Sequence, residues 1–152
     1  PGADRLFNFI TPKGLAEAVG VEDEYDGRAV ALADLSNRGA LDVIVANQNQ
    51  PAVVYRAYPD GANHWIAFAL VGTQSNRSAI GAEVVIEAGE LRQRRVVDGG
   101  MGFASQNDRR LHFGLGRHEW VDRVVIHWPS GEQQVVTRPE VDRIHTIEEP
   151  RR

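Results

Sequence analysis

Cysteine is absent from the 152 residues, lysine occurs once among 17 basic side chains, and no apolar run approaches the length of a bilayer. Without cysteine there is no disulfide scaffold, no thiolate zinc site and no thiol nucleophile. Without a run of about 20 apolar residues, no membrane insertion is expected. The sequence opens at Pro1 with no charged and apolar leader, although a removed signal peptide remains compatible with it. A basic excess is also missing. Residues 1 to 60 carry 9 acids and 5 bases and residues 61 to 152 carry 12 of each, so nucleic acid is not an expected partner. A chain this long buries enough surface to fold without staples.

What is present is short Val, Ile and aromatic runs between turn signals, which predicts an all-β fold. Expected strands are Leu6 to Ile10, Ala29 to Ala33, Leu41 to Ala46, Ala52 to Arg56, His64 to Val71, Glu83 to Ala88, Leu91 to Val97, Leu111 to Phe113, Val121 to Trp128, Gln133 to Thr137 and Arg143 to Glu148. One brief helix is expected from Thr11 as N-cap, through Pro12, to a stop at Gly20. The run from His64 to Leu70 is apolar on both faces, which predicts a central strand. Hairpins are expected at Glu87-Ala88-Gly89-Glu90 and at Trp128-Pro129-Ser130-Gly131. The turn cluster from Tyr58 to Ala62 coincides with the change in charge balance, predicting a boundary between residues 1 to 60 and 61 to 152.

The segment Asp34-Leu35-Ser36-Asn37-Arg38-Gly39-Ala40-Leu41-Asp42 places oxygen-bearing Asp34, Ser36 and Asp42 at alternating and closing positions of a nine-residue loop with Gly39 at the sharp turn. Such spacing suits calcium, which takes six to eight hard oxygen ligands. Arg38 stands where a third carboxylate would help, so the alternative is a metal-free turn in which Arg38 pairs with Asp34 or Asp42. With Asp26 to Ala33 before it and Leu41 to Asn47 and Val54 to Arg56 after it, the loop resembles one FG-GAP or VCBS repeat. Those repeats are blades of calcium-decorated β-propellers, and the resemblance implies a propeller-blade-like unit over residues 1 to 60. Ser36 and Arg38 depart from the repeat's middle acids. A lone blade leaves its apolar face uncovered, so it is expected to fold back on the rest of the chain or to meet further repeats, in the same protein or another subunit.

In the second half, Ser75 to Ala82, Gly99 to Gln106, Leu111 to Gly116 and Trp128 to Gly131 form four ordered motifs. In that order, over about 85 residues, they resemble the ASPIC/UnbV domain. The resemblance implies a β-sandwich or barrel with no catalytic residues to carry over, of the kind that follows FG-GAP repeats in cartilage-acidic-protein-like secreted proteins. Relatives also occur in bacterial enediyne biosynthesis clusters.

Asn76, Arg77, Ser105, Gln106 and His112 stand beside glycine turns, where they can converge on an anionic or sugar-like ligand or instead pin the loops to the sheet. The five histidines have no short metal-binding spacing, Ser105 and Ser130 have no strand-to-helix elbow, and the Gly-x-Gly pairs open no helix. The expectation is therefore a noncatalytic module, secreted or at the cell surface, that recognises protein or carbohydrate. The other reading is a small-molecule-binding accessory of a biosynthetic pathway.

Overall fold

The computed structural model describes residues 24–59 and 61–151. Every helix or strand among them is a strand, so the described fold is all-β and contains no helix long and apolar enough to cross a membrane. The expected strand Leu6 to Ile10 and the expected helix lie outside the described residues.

Three strands form the first sheet: β1 (Gly27–Ala33), β2 (Asp42–Asn47) and β3 (Val53–Tyr55), antiparallel in that order. A second sheet sets β4 (His64–Val71) between β10 (Arg143–Glu148), which runs parallel to it, and β7 (Leu111–Gly116), which runs antiparallel. The third sheet is antiparallel in the order β6 (Leu91–Val96), β5 (Glu83–Ala88), β8 (Arg123–His127) and β9 (Gln133–Thr137).

The second and third sheets share one core. Because side chains alternate along a strand, Ile66, Phe68 and Leu70 of β4 point the same way and are buried together. They join Leu111, Phe113 and Leu115 of β7, Val84 and Ile86 of β5, and Val124 and Ile126 of β8 in that core. Phe68 and Phe113 meet edge to face at 5.9 Å. The neighbouring edges β6 and β7 are linked by side chains: Gln93 donates to the Gly114 carbonyl (2.6 Å) and Arg95 Nε to the His112 carbonyl (2.7 Å).

Six strands, β1, β2, β3, β6, β7 and β8, differ in their ends from the sequence expectation, and for β7 and β8 the local reason is visible. β7 continues to Gly116 because Gly114 and Gly116 keep their pairing with Trp65 and His64. β8 stops at His127 because the Trp128 N–H turns to the Glu132 carbonyl, closing the hairpin to β9, while the Trp128 ring stays in the core. At the β5–β6 hairpin, Gly89 takes φ +59°, which a residue without Cβ adopts freely.

The first sheet meets the second through its β1–β2 loop, which lies against Trp65 of β4 and His112 of β7, and through Leu32 of β1. Segment 107–112 provides the seam: the Asp108 N–H donates to the Leu32 carbonyl (2.9 Å), and the Leu32 N–H donates to Asn107 Oδ1 (2.9 Å). Arg110 donates to the Asp34 carbonyl (2.9 Å) and to Asn37. The expected boundary at residue 60 falls between β3 and β4.

Candidate functional site

The loop from Asp34 to Asp42 joins β1 to β2 and lies against the second sheet at its glycine. A Cβ on Gly39 would stand 2.1 Å from Trp65 Nε1, and the residue's φ is +79°, so the position requires glycine twice over. Trp65 in turn stacks on His112 with ring centroids 5.8 Å apart and planes within 8°. His112 Nε2 lies 3.0 Å from the Gly39 carbonyl, and a carbonyl only accepts, so that nitrogen carries the proton. Burial holds His112 below the usual histidine value, helped by Arg95 and Arg110 and opposed by the Gly39 carbonyl and Asp34.

Both acids of the loop are buried, Asp42 completely, and both are saturated with N–H donors. Asp34 accepts from the backbone of Ser36 (3.3 Å), Arg38 (3.0 Å) and Gly39 (2.6 Å). Asp42 accepts from the backbone of Ala57 (2.9 Å) and Leu35 (3.4 Å) and from Arg56 Nε (3.2 Å), with an Arg38 nitrogen at 3.7 Å. The Ala57 N–H leads in holding the Asp42 carboxyl below its usual value, against burial and with help from Arg56, the Leu35 N–H and Arg38. Ser36 Oγ accepts from Arg56 as well, at 2.6 Å.

This donor set does not fit calcium. The ion needs free oxygen lone pairs around one centre, whereas here two guanidiniums and five backbone N–H groups already occupy the carboxylates. Among the described residues no group of three or more His, Cys, Asp or Glu side chains is placed to share a metal. Arg56 escaped the sequence reading, which weighed Arg38 alone. Its signal was register: once Val43 pairs with Tyr55, antiparallel order brings Asp42 beside Arg56.

The five expected ligand residues are not gathered at one place. Asn76 exchanges two hydrogen bonds with the Ile80 backbone, both 2.9 Å, and Ser105 Oγ donates to the Met101 carbonyl. His112 lies under Trp65 as described, Gln106 is exposed, and Arg77 is exposed at the rim of a pocket that none of the other four lines.

Two of the four sequence motifs meet instead at a residue outside all of them. Glu149, 2% exposed, accepts from the backbone of Thr73, Gln74 and Ser75 (2.8, 2.8 and 2.7 Å) and from the hydroxyls of Ser75 (2.8 Å) and Ser130 (2.5 Å). Burial works against its charge, yet the Ser130 and Ser75 hydroxyls and the Ser75 and Gln74 N–H groups hold its carboxyl at about 2. Nothing local marks Glu149 in the sequence, because its partners lie 19 to 76 residues away.

Beside the docked loop opens a cleft of about 730 Å³. Tyr58, 79% exposed, forms one wall with the Arg38 guanidinium 5.3 Å from its ring centre. Arg38 Nε is buried and has no hydrogen-bond partner among the described residues. Trp65, Asn63 and the His64–Asp142 pair (Nδ1 to Oδ2, 2.6 Å) complete the polar and aromatic lining, with Gly114 and Gly116 at its edge. Asp142 also receives the Trp65 N–H at 3.1 Å, which ties the entry of β10 to β4. The arrangement offers a flat aromatic face, fixed hydrogen-bonding groups and little bulk from the glycine strand.

Fold and cleft together define an all-β module with a polar and aromatic opening beside the loop that joins its first two strands. The chain belongs to the ASPIC and UnbV family, whose model matches residues 72–152. It is similar to cartilage acidic protein 1 of Mus musculus (31% identical over 141 residues, 86% of this chain and 22% of that protein). The Homo sapiens protein of the same name is 29% identical over 86% of this chain and 21% of its own length. That of Xenopus tropicalis is 30% identical over 74% and 18%. The chain therefore spans about a fifth of the length of the curated relatives it matches, and the likeness to the mouse and human proteins reaches beyond residues 72–152 into the first sheet.

Proposed function

We propose that this chain is a noncatalytic recognition module within a larger secreted protein, that β1 to β3 are one FG-GAP/VCBS-like blade, and that the cleft beside Tyr58 takes a saccharide. The cleft carries the reading. An open tyrosine face, a planar guanidinium whose Nε lacks a partner, and Asn63, His64 and Asp142 side by side suit the alternating apolar face and hydroxyl edge of a sugar ring. Secretion is supported by the relatives' name, that of a cartilage protein.

A glycan array followed by titration calorimetry tests the reading. Tyr58 is exposed and its ring contact among the described residues is with Arg38, so Tyr58→Ala is expected to weaken saccharide binding by roughly tenfold or more, as loss of a stacked ring does, while leaving the melting temperature unchanged. Saccharide binding that Tyr58→Ala leaves intact, or no binding across the array, overturns it.

A further inference from the structure

Segment 107–112 also lines a second pocket, of about 400 Å³, through Asp108, Arg109 and Arg110. Its floor is apolar, with Leu70 and Val97 nearly buried. Its rim holds three arginines, and their charges are unequally met. Arg110 is consumed by Asp108 (Nε to Oδ2, 2.6 Å), by Asn37 and by the Asp34 carbonyl. Arg109 gives one nitrogen to Ser78 Oγ at 2.9 Å and has no carboxylate partner among the described residues. The Arg77 guanidinium has no acceptor there at all, although it is exposed at the same rim.

Two uncompensated guanidiniums on one small concave site are costly for each other and favourable for an anion between them. Guanidinium forks match tetrahedral oxyanions through paired N–H bonds, and the Ser78 hydroxyl that anchors Arg109 keeps a lone pair and a proton for the same ligand. We infer that Arg77, Arg109 and Ser78 form a binding site for a tetrahedral oxyanion, sulfate or phosphate in type, separate from the cleft at Tyr58. The Asp108 carboxylate does not oppose it, because both of its oxygens accept from Arg110. The apolar floor allows the oxyanion to carry a small apolar ester group.

The test is titration at constant ionic strength with inorganic phosphate, inorganic sulfate and phenyl phosphate, followed by amide NMR shifts. Saturable binding in the millimolar range or tighter is expected, with shifts centred on residues 77–78 and 109. Arg77→Ala and Arg109→Ala should each weaken it by roughly tenfold, the worth of a charge-assisted pair. Arg117→Ala, which removes an equal charge from an exposed residue elsewhere, should leave it unchanged. Phenyl phosphate binding more tightly than phosphate assigns the site to an ester, and equal binding assigns it to the free ion. Because the exposed Arg77 side chain has no hydrogen bond or ion pair among the described residues, its alanine variant is expected to fold as the parent does, and the melting temperature verifies this. Shifts that never saturate, or an Arg117→Ala loss equal to that of Arg77→Ala, overturn the inference.

Discussion

At the scale of single residues, the informative side chains are those whose charge is buried. Asp42 has no exposed surface, yet it stays ionised because backbone N–H groups and two guanidiniums surround it. Arginine serves here because it cannot lose its proton and can span two acceptors, as Arg56 does between Asp42 and Ser36. Removing it leaves a buried carboxylate partly unmet. Arg56→Ala is therefore expected to lower the melting temperature by about 2–8 °C, whereas added calcium or a chelator should leave the parent's melting temperature where it was. Differential scanning calorimetry reads both. A calcium-dependent rise in the parent would reverse this account of the loop.

At the scale of elements, Glu149 explains how the end of β10 is held. It follows directly after the strand, and its N–H donates to the Val71 carbonyl as its carboxylate fills the nest of the loop after β4. Through Ser130 it also fastens the β8–β9 hairpin, so three separate connections share one charge. A carboxyl depressed from its ordinary 4.5 to about 2 contributes stability that is complete above pH 4.5 and lost as pH falls through about 2. Acid unfolding of the parent should show that loss, and Glu149→Gln should flatten the profile in this window. Ser130→Ala removes one bond to the charge and is expected to cost about 1.5–3 kcal/mol in urea unfolding at pH 7.

At the scale of the whole molecule, the docking of the first sheet depends on a histidine kept neutral. His112 lies between Trp65 and the Gly39 carbonyl, and burial leads in pushing its pKa below the ordinary 6.5. Its unfolded or undocked form therefore binds a proton more readily than the docked form. The sign follows: stability of the dock is unaffected above pH 6.5 and declines as pH falls below it. Hydrogen exchange, corrected for its intrinsic pH dependence, should show β1 and β2 losing protection between pH 7 and 5 before β4 and β5 do. His112→Phe keeps the stacked ring and should remove that pH dependence. Uniform loss across all three sheets would contradict a docking that titrates by itself.

Strand identity was legible from sequence wherever alternation was strong. The two-faced apolar run of β4 has its place between β10 and β7 because a strand covered on both sides must be interior, and Gly89 and Gly131 mark hairpins because positive φ is cheap without a Cβ. The family was legible too, since ordered glycine and serine motifs survive in local chain order. Where the polar residues meet was not. Asn76 and Ser105 close bonds within four residues of themselves, while Ser75 and Ser130 cross 74 and 19 residues to one carboxylate. Composition and periodicity determine which residues are strand and which are turn, because those choices are paid locally in backbone geometry and alternation. Partnership of charges was decided only by tertiary structure, because burial of Asp42, Glu149 and His112 depends on which sheets pack together, and Coulomb and hydrogen-bond energies act through space without regard to sequence separation.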